Sequence, residues 1–368
     1  MSSKNGVVLL PATPPPPTHE QASHAAMANL LAELLDTPFL GDYQDHAAPN
    51  LYVIPTDTLI GTQAHDLDIH GPDDLFGGSV AHPFMATKAI THGLPAAGAH
   101  APDGWAYDFA GLASSAILVG FTVFNATDAG VAGQILLAAG SLRVKPVRGK
   151  AGRGQEVMRS ADELQRYLDG LDAEELATWG LVLEENLERV VTYSVGQVRV
   201  AGLVLSYHGT QRLTRDNQGE EVYGGSELTL VRGGYDTLAR LSLPDRTRLA
   251  VDQARVYEAA ARACYPSLIA SRLNYDIAQG SNAKGDFRSG VLEQSWRIGG
   301  ASGAEVLALQ AFAADPALQS LRASTTETYG DSQPPEGATI LFRGQDEEVG
   351  FITKSARIEA YDSSKRSD

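Results

Sequence analysis

Apolar and polar positions along this chain change period several times, and each change predicts an element. GVVLL at 6–10 reads as a short buried strand. Pro14 to Pro17 then break the chain. From His19 to Leu35, Ala26, Leu30, Leu31, Leu34 and Leu35 recur at helical spacing, with Thr18 placed to cap the helix. LYVIPTDTLI predicts a second strand, so the opening reads as a small open α/β unit. Residues 65–82, rich in Asp, Gly and His, predict a loop, and PFMATKAITHGL (83–94) predicts a helix that starts a new unit.

Further on, residues 96–110 read as loop, and GLASSAILVGFTVFN as a helix or a pair of strands. Ala129 to Gly140 predicts a helix ending at a glycine suited to a left-handed cap. Strand SLRVKPV, glycine turn GKAGRGQ, strand VMRS, a helix over Asp162 to Leu171 and strand LVLEENL follow. TYSVGQVRVAGLVLSYHG reads as two strands of a meander, LTRDNQGEEVYGG as a polar hairpin or loop, and SELTLVRGG as the continuation. Helices over Ala250 to Cys264 and Ala304 to Phe312 flank two strands, SRLNYDIAQ and SGVLEQSWR, joined by GSNAKGDFR. Alternation of strand and helix that gives way to antiparallel strands predicts an α+β / α/β fold, not a doubly wound sheet throughout. The expected division is 1–82, 83–195 and 196–355, with a loose polar tail over 356–368.

Length and charge narrow the function. At 368 residues the chain exceeds the roughly 250–300 residues that one core spans. Apolar residues make up 43%, enough for most of the chain to fold. A net charge of −16 argues against binding nucleic acid or an anionic membrane, while a local basic pocket can still hold an anion. The single cysteine, Cys264, can form no internal disulfide; it reads as a small buried side chain or as a nucleophile. MSSKNGVVLL does not look like a signal peptide and no apolar run nears the ~20 residues of a membrane helix, so the cytoplasm is the expected location. His65, Asp66, Asp68 and His70 read as a solvated polar loop or as a metal cluster.

Three stretches carry chemistry. Arg143-Val144-Lys145-Pro146 followed by Gly149, Gly152 and Gly154 puts a strand lysine before a glycine loop. Backbone N–H groups there can close on phosphate oxygens, although a surface hairpin explains the glycines as well. In LVLEENL an apolar strand ends in Glu184 and Glu185; the edge can read an adenine or a ribose, or be a solvated turn. Finally, Arg272, Asn274 and Asp276 alternate on one strand, as do Glu293, Ser295 and Arg297 on the next. A hairpin brings the two sets together. Two carboxylates with neutral oxygens suit Mg²⁺, and two arginines suit a phosphoryl group.

The order of these stretches resembles the ATP-grasp superfamily, over about 85 to 312, and the closest likeness is to a bacterial branch marked by NYD…SGVLEQSWRIGGASGAE. The resemblance implies a small N-terminal open α/β domain and two α+β subdomains that clasp ATP. Lys88 and Lys145 match the two phosphate lysines, and GKAGRGQ, with Gly152, Gly154 and Gln155, matches the lid. Glu184 and Glu185 match the adenine edge, with Leu187 offering its N–H. Asp276, Glu293 and Ser295 match the metal set, and Arg297, with Arg272, the transition-state arginines. Ser295 stands where most relatives have asparagine. The first acid is Asp276 or, in another register, Asn274; a carboxylate neutralises Mg²⁺ and an amide does not. Thr192 or Glu188 falls near the ribose position.

The implied cofactors are ATP and Mg²⁺. The implied reaction phosphorylates a small-molecule carboxylate, and an amine, thiol or other nucleophile then attacks the acyl phosphate. IGGASGAE, from Ile298 to Glu305, reads as a helix start that can seat the acceptor or the carboxylate. A non-catalytic nucleotide binder and a kinase on the same fold are the competing readings. A homodimer is compatible with all three.

Overall fold

The computed structural model describes residues 4–44, 49–149 and 154–359. Among them the strands form four sheets. The opening sheet is parallel, in the order β2 (Phe39–Asp42), β1 (Val7–Leu10), β3 (Tyr52–Pro55). Helix α1 (Thr18–Leu34) covers it. Thr18 is the first helical residue and not the cap. Pro17 holds the cap position without a side-chain bond, and the Asp346 carboxylate accepts from the His19 N–H at 3.0 Å. A distant acid therefore does the work that Thr18 was expected to do. LYVIPTDTLI is two strands, because the chain turns at Thr56–Thr58; β4 (Leu59–Ile60) joins β5 (Gly78–Val80) and β13 (Ile269–Ala270) in a second small sheet.

The expected helix over 83–94 is instead two 3-10 turns, Pro83–Ala86 and Lys88–Thr91. Thr87 between them is extended (φ −129°, ψ 172°), and its hydroxyl accepts from Ala89 N–H, which restarts the chain at a new angle. That break turns Lys88 inward to 3% exposure. The third sheet runs β6 (Gly120–Val123), β9 (Leu181–Glu185), β7 (Leu142–Pro146), β8 (Glu156–Met158). Against it lie α4 (Ala126–Leu137), capped by the Asn125 side chain, and α5 (Ala161–Leu168), capped by Ser160. Helix α6 (Ala173–Trp179), capped by Asp172, adds an element that the hydrophobic pattern did not predict.

The largest sheet is antiparallel, with eight strands in the order β15-β14-β10-β11-β12-β16-β18-β17. The strands are β10 (Glu188–Val200), β11 (Leu203–Arg215), β12 (Glu221–Arg232), β14 (Arg272–Ser281), β15 (Phe287–Ser295), β16 (Ser320–Tyr329), β17 (Thr339–Asp346) and β18 (Gly350–Glu359). The last three were not predicted. β18 also runs through residues 356–359, which were expected to be loose, and buries Ala356 against the core. Alternation sends Val195, Val231, Tyr275 and Ile277 to the face under α8 (Asp245–Cys264). Val198, Leu205, Tyr207 and Leu230 go to the face under α9 (Ser302–Ala314) and α1. The opening unit therefore shares one core with the large sheet. One-turn helices α2 (Gln63–Asp66), α3 (Phe109–Leu112) and α7 (Tyr235–Leu238) fill connections. No helix among the described residues is long and apolar enough to cross a membrane.

Candidate functional site

β14 and β15 pair as a hairpin, with Asn274 opposite Ser295 and Asp276 opposite Glu293. The alternation read from the sequence thus places the two carboxylates face to face. Asp276 Oδ1 accepts from Asn274 Nδ2 at 2.9 Å and from Ser194 Oγ at 3.1 Å. Burial, and then the neighbouring Glu293, push its carboxyl above the usual range. Glu293 is partly exposed, and the attraction of Lys88, 2.7 Å away, holds its carboxyl below the usual range against desolvation. Two carboxylates facing each other across the hairpin repel, and a cation between them would relieve that repulsion. Among the described residues no group of three or more His, Cys, Asp or Glu forms a metal site by itself. The pair instead suits Mg²⁺, which completes its shell with phosphate oxygens and water.

Just past Glu293 the register slips, and Leu292 stands unpaired between Glu293 and Val291. Its carbonyl is free of the ladder and accepts from Lys145 Nζ at 3.1 Å. Lys145 lies diagonally from Glu184 on the neighbouring strand, and the two pair at 3.0 Å, both nearly fully buried. His92 Nε2, itself 1% exposed, holds the other Glu184 oxygen at 3.2 Å. Burial lowers the Lys145 ammonium, opposed by Glu184. Burial would raise Glu184, but Lys145 and His92 outweigh it and hold the carboxyl at about 2.

The sign of that shift makes a prediction. The carboxyl is depressed on folding, so its stabilisation is complete above its ordinary value of 4.5 and fades as pH falls toward about 2. The contribution is on the order of 3 kcal/mol. Glu184→Gln should flatten the stability curve across that window in acid denaturation. At neutral pH it should also cost about 3–5 kcal/mol, because Lys145 is left buried and unpaired. A Glu184→Gln curve parallel to wild type below pH 4.5 rules the assignment out.

Both acids at the end of β9 are engaged within the protein. Glu185 accepts from Val119 N–H at 3.1 Å and from Arg288 Nε at 3.2 Å. The Leu187 N–H meets no backbone acceptor among the described residues. Leu187 packs with Leu118, Ala278 and Leu292 in a small apolar cluster, of which Leu292 lines the larger cavity beside Lys145. Gly154 and Gln155 follow the loop; Gly154 has φ +73°, and Gln155 reaches the larger of two cavities. Gly152, with Lys150 and Arg153, lies outside the described residues.

The larger cavity, about 520 Å³, runs from Lys145, Thr192 and Asp276 to the turn at Gly299–Ala301. The smaller, about 280 Å³, is lined by Lys88, Arg148, Gly149, Trp179 and Asp57. Both open on Glu293, Ser295 and Arg297. The proline run, read from the sequence only as a break, borders both through Pro16. Arg297 sits at the junction with 26% of its side chain exposed. Arg272 is buried, and its Nε, Nη1 and Nη2 all donate within the protein. Glu305, at the start of α9, is its fully buried partner and lines neither cavity. The Cys264 thiol is raised by desolvation, against a nucleophilic thiolate. His65 with Asp66, and Asp68 with His70, form exposed pairs.

A family model described as Protein of unknown function (DUF3182) matches residues 7–356. No curated protein matches the sequence. Among solved structures, the biotin carboxylase domain of Hydrogenobacter thermophilus 2-oxoglutarate carboxylase, in complex with MgADP, ADP and bicarbonate, superposes with a TM-score of 0.55 at 11% identity, over 98% of this chain and 87% of that one. Staphylococcus aureus N5-carboxyaminoimidazole synthetase complexed with ADP gives 0.54 at 10% identity, over 98% and 94%. Campylobacter jejuni biotin carboxylase in its β,γ-ATP complex gives 0.51 at 11% identity, over 96% and 87%. The chain therefore has an ATP-grasp-like α+β fold.

Proposed function

The chain belongs to this family, Protein of unknown function (DUF3182), and we propose that it uses Mg-ATP to activate a substrate carboxylate as an acyl phosphate for attack by an amine or another nucleophile. Within the fold it falls in the branch marked by NYD…SGVLEQSWRIGGASGAE. The observation that carries the reading is the facing Asp276–Glu293 pair, flanked by Lys88 and Arg297, where two cavities meet. The solved relatives with bound ADP or an ATP analogue support the choice of nucleotide.

Adenine lies at the Leu292 edge of the Leu118, Leu187 and Leu292 cluster, toward the Leu187 N–H. Lys88 and Lys145 take the α- and β-phosphates. Asp276 and Glu293 would hold Mg²⁺, which would supply positive charge beside the phosphates. In the nucleotide-free chain Lys88 is the cation of Glu293; with Glu293 on a metal, Lys88 would be free to meet phosphate. A carboxylate oxygen of the substrate attacks the γ-phosphorus in line and ADP leaves. The acceptor nucleophile then attacks the acyl carbon and phosphate leaves. Arg297 stabilises the transferred group from the junction, and the Gly299–Ala301 turn borders the seat of the carboxylate. Catalysis is positioning and electrostatics.

Mg-ATP should raise the melting temperature, because a ligand that binds only the native state stabilises by about 2.7 kcal/mol at a hundredfold excess over Kd. Lys145→Ala, compared with its own nucleotide-free melt, should lose most of the shift. ADP release across a panel of carboxylates and amines then tests turnover. A wild-type melt that ignores millimolar Mg-ATP overturns the reading.

A further inference from the structure

We propose that the buried Arg272–Glu305 pair is a positioning device for the phosphoryl-transfer hairpin and never touches the substrate, an inference that rests on the function proposed above. Arg272 is 1% exposed and Glu305 0%. They join β14 to α9 through two parallel bonds, Nε to Oε2 at 3.0 Å and Nη2 to Oε1 at 2.9 Å. The remaining nitrogen, Nη1, donates to Ser295 O at 3.1 Å, Ser295 Oγ at 3.2 Å and Arg297 O at 2.7 Å. One guanidinium thus fixes the backbone on both sides of Trp296, where the chain leaves β15. Glu293 lies just before that point and the Arg297 side chain just after it.

The carboxylate side of the pair reaches the other half of the hairpin. The Tyr207 hydroxyl lies 2.6 Å from Glu305 Oε1 and 2.9 Å from Asn274 Oδ1, both acceptors. Burial holds that hydroxyl protonated, so it remains a donor. Asn274 in turn donates to Asp276 Oδ1 at 2.9 Å. The hydroxyl has one proton to share between its two acceptors, so a chain of close polar contacts runs from Glu305 through Tyr207 and Asn274 to one carboxylate, and bonds run from Glu305 through Arg272 to the segment that carries the other carboxylate and Arg297. Glu305 neutralises Arg272 at contact distance, so the guanidinium adds little field to the cavity floor. Arg272 also lines the larger cavity, but its Nε and Nη2 are held by Glu305 and its Nη1 is engaged by Ser295 and Arg297, so a direct phosphate contact would have to displace bonds the guanidinium already makes. Such a pair adds little net stability over apolar residues of the same size, which leaves geometry as its contribution.

The experiment separates geometry from folding. Arg272→Met combined with Glu305→Leu removes both charges and strands neither. Tyr207→Phe removes one hydroxyl and cuts only the branch to Asn274. Both variants are measured for melting temperature, Mg-ATP melting shift, kcat, KM for ATP and Mg²⁺ dependence. The expected result is a retained Mg-ATP shift and a near wild-type KM in both, with kcat lowered about 10- to 100-fold, as when the outer partners of metal ligands are lost. Tyr207→Phe should also raise the Mg²⁺ needed for half-maximal rate. Wild-type kcat and Mg²⁺ dependence in the folded variants overturn the positioning role. Loss of the Mg-ATP shift in the folded double variant overturns it in favour of direct contact. If the double variant does not fold, Tyr207→Phe decides by the same readouts. A wild-type chain with no nucleotide shift overturns the proposed function and this inference with it, whereas a wild-type shift beside unaltered variants overturns this inference alone.

Discussion

Glu293→Gln should abolish ADP release while Mg-ATP still raises the melting temperature. The substitution keeps the shape of the side chain and removes its charge, and a neutral amide is a poor ligand for a hard divalent cation. Loss of a residue that merely orients a metal ligand costs about 10–100-fold, so loss of the ligand itself should cost at least that. The apolar cluster of Leu118, Leu187 and Leu292 is untouched, so the proposed adenine contact should remain. Lys88, 3% exposed, loses its ion partner, and the nucleotide-free protein should melt lower. Ser295→Ala should do far less. A water can replace a neutral oxygen, and Arg272 Nη1 keeps the Ser295 and Arg297 carbonyls. Ser295→Asn should be tolerated if the position faces the metal. The measurement is ADP release by each variant across a Mg²⁺ titration. Normal turnover by Glu293→Gln removes the hairpin as the metal site, and the assignments of Asp276, Glu293 and Arg297 fail together.

What the sequence made legible follows a simple rule: period-2 alternation on strands was readable, and side chains delivered by irregular backbone were not. Asp276 and Glu293 could be paired in advance because both lie on alternating strands joined by a short turn. Lys145 and Glu184 stood on strands with clear apolar runs, yet their ion pair depends on a diagonal register that no single strand reveals. Lys88 was placed on a helix because PFMATKAITHGL carries helical spacing; the extended Thr87 overrides it, and that break is what aims the lysine at Glu293. The Leu292 bulge that presents a carbonyl to Lys145 leaves no mark in composition. His92 looked like any histidine beside a glycine, and its signal is its burial against Glu184. β16 to β18 went unseen because many of their outward positions are polar and their inward ones include Thr and Ser. Arg272 and Arg297 share one alternation pattern, and only their burial tells them apart.

That contrast sets the second large effect: Arg297→Ala should lower kcat about 10²–10³-fold, some 3–4 kcal/mol of transition-state stabilisation, the loss expected for one preorganised donor aimed at developing charge. Arg297 borders both cavities. Its protein contacts are light: Nη1 donates to Ile298 O at 2.6 Å, and Nε lies 3.7 Å from Asp57 Oδ1, a half-exposed carboxylate. A transferred phosphoryl group can displace the second contact at little cost, because exposed ion pairs contribute about 0–1 kcal/mol. For the same reason the melting temperature should hardly move, since a partly exposed substitution away from the core stays within about 0.5 kcal/mol. Arg297→Lys keeps the charge but loses the planar fork, so it should recover only part of the rate. ATP KM should change less than kcat in both variants, because Lys88, Lys145 and the adenine contact proposed at Leu292 carry ground-state binding. Steady-state ADP release gives both constants. A fall in KM affinity without a fall in kcat would move Arg297 to nucleotide binding. Unchanged kcat in Arg297→Ala would place the transferring group away from the junction, nearer Arg148 and Gly149 in the smaller cavity.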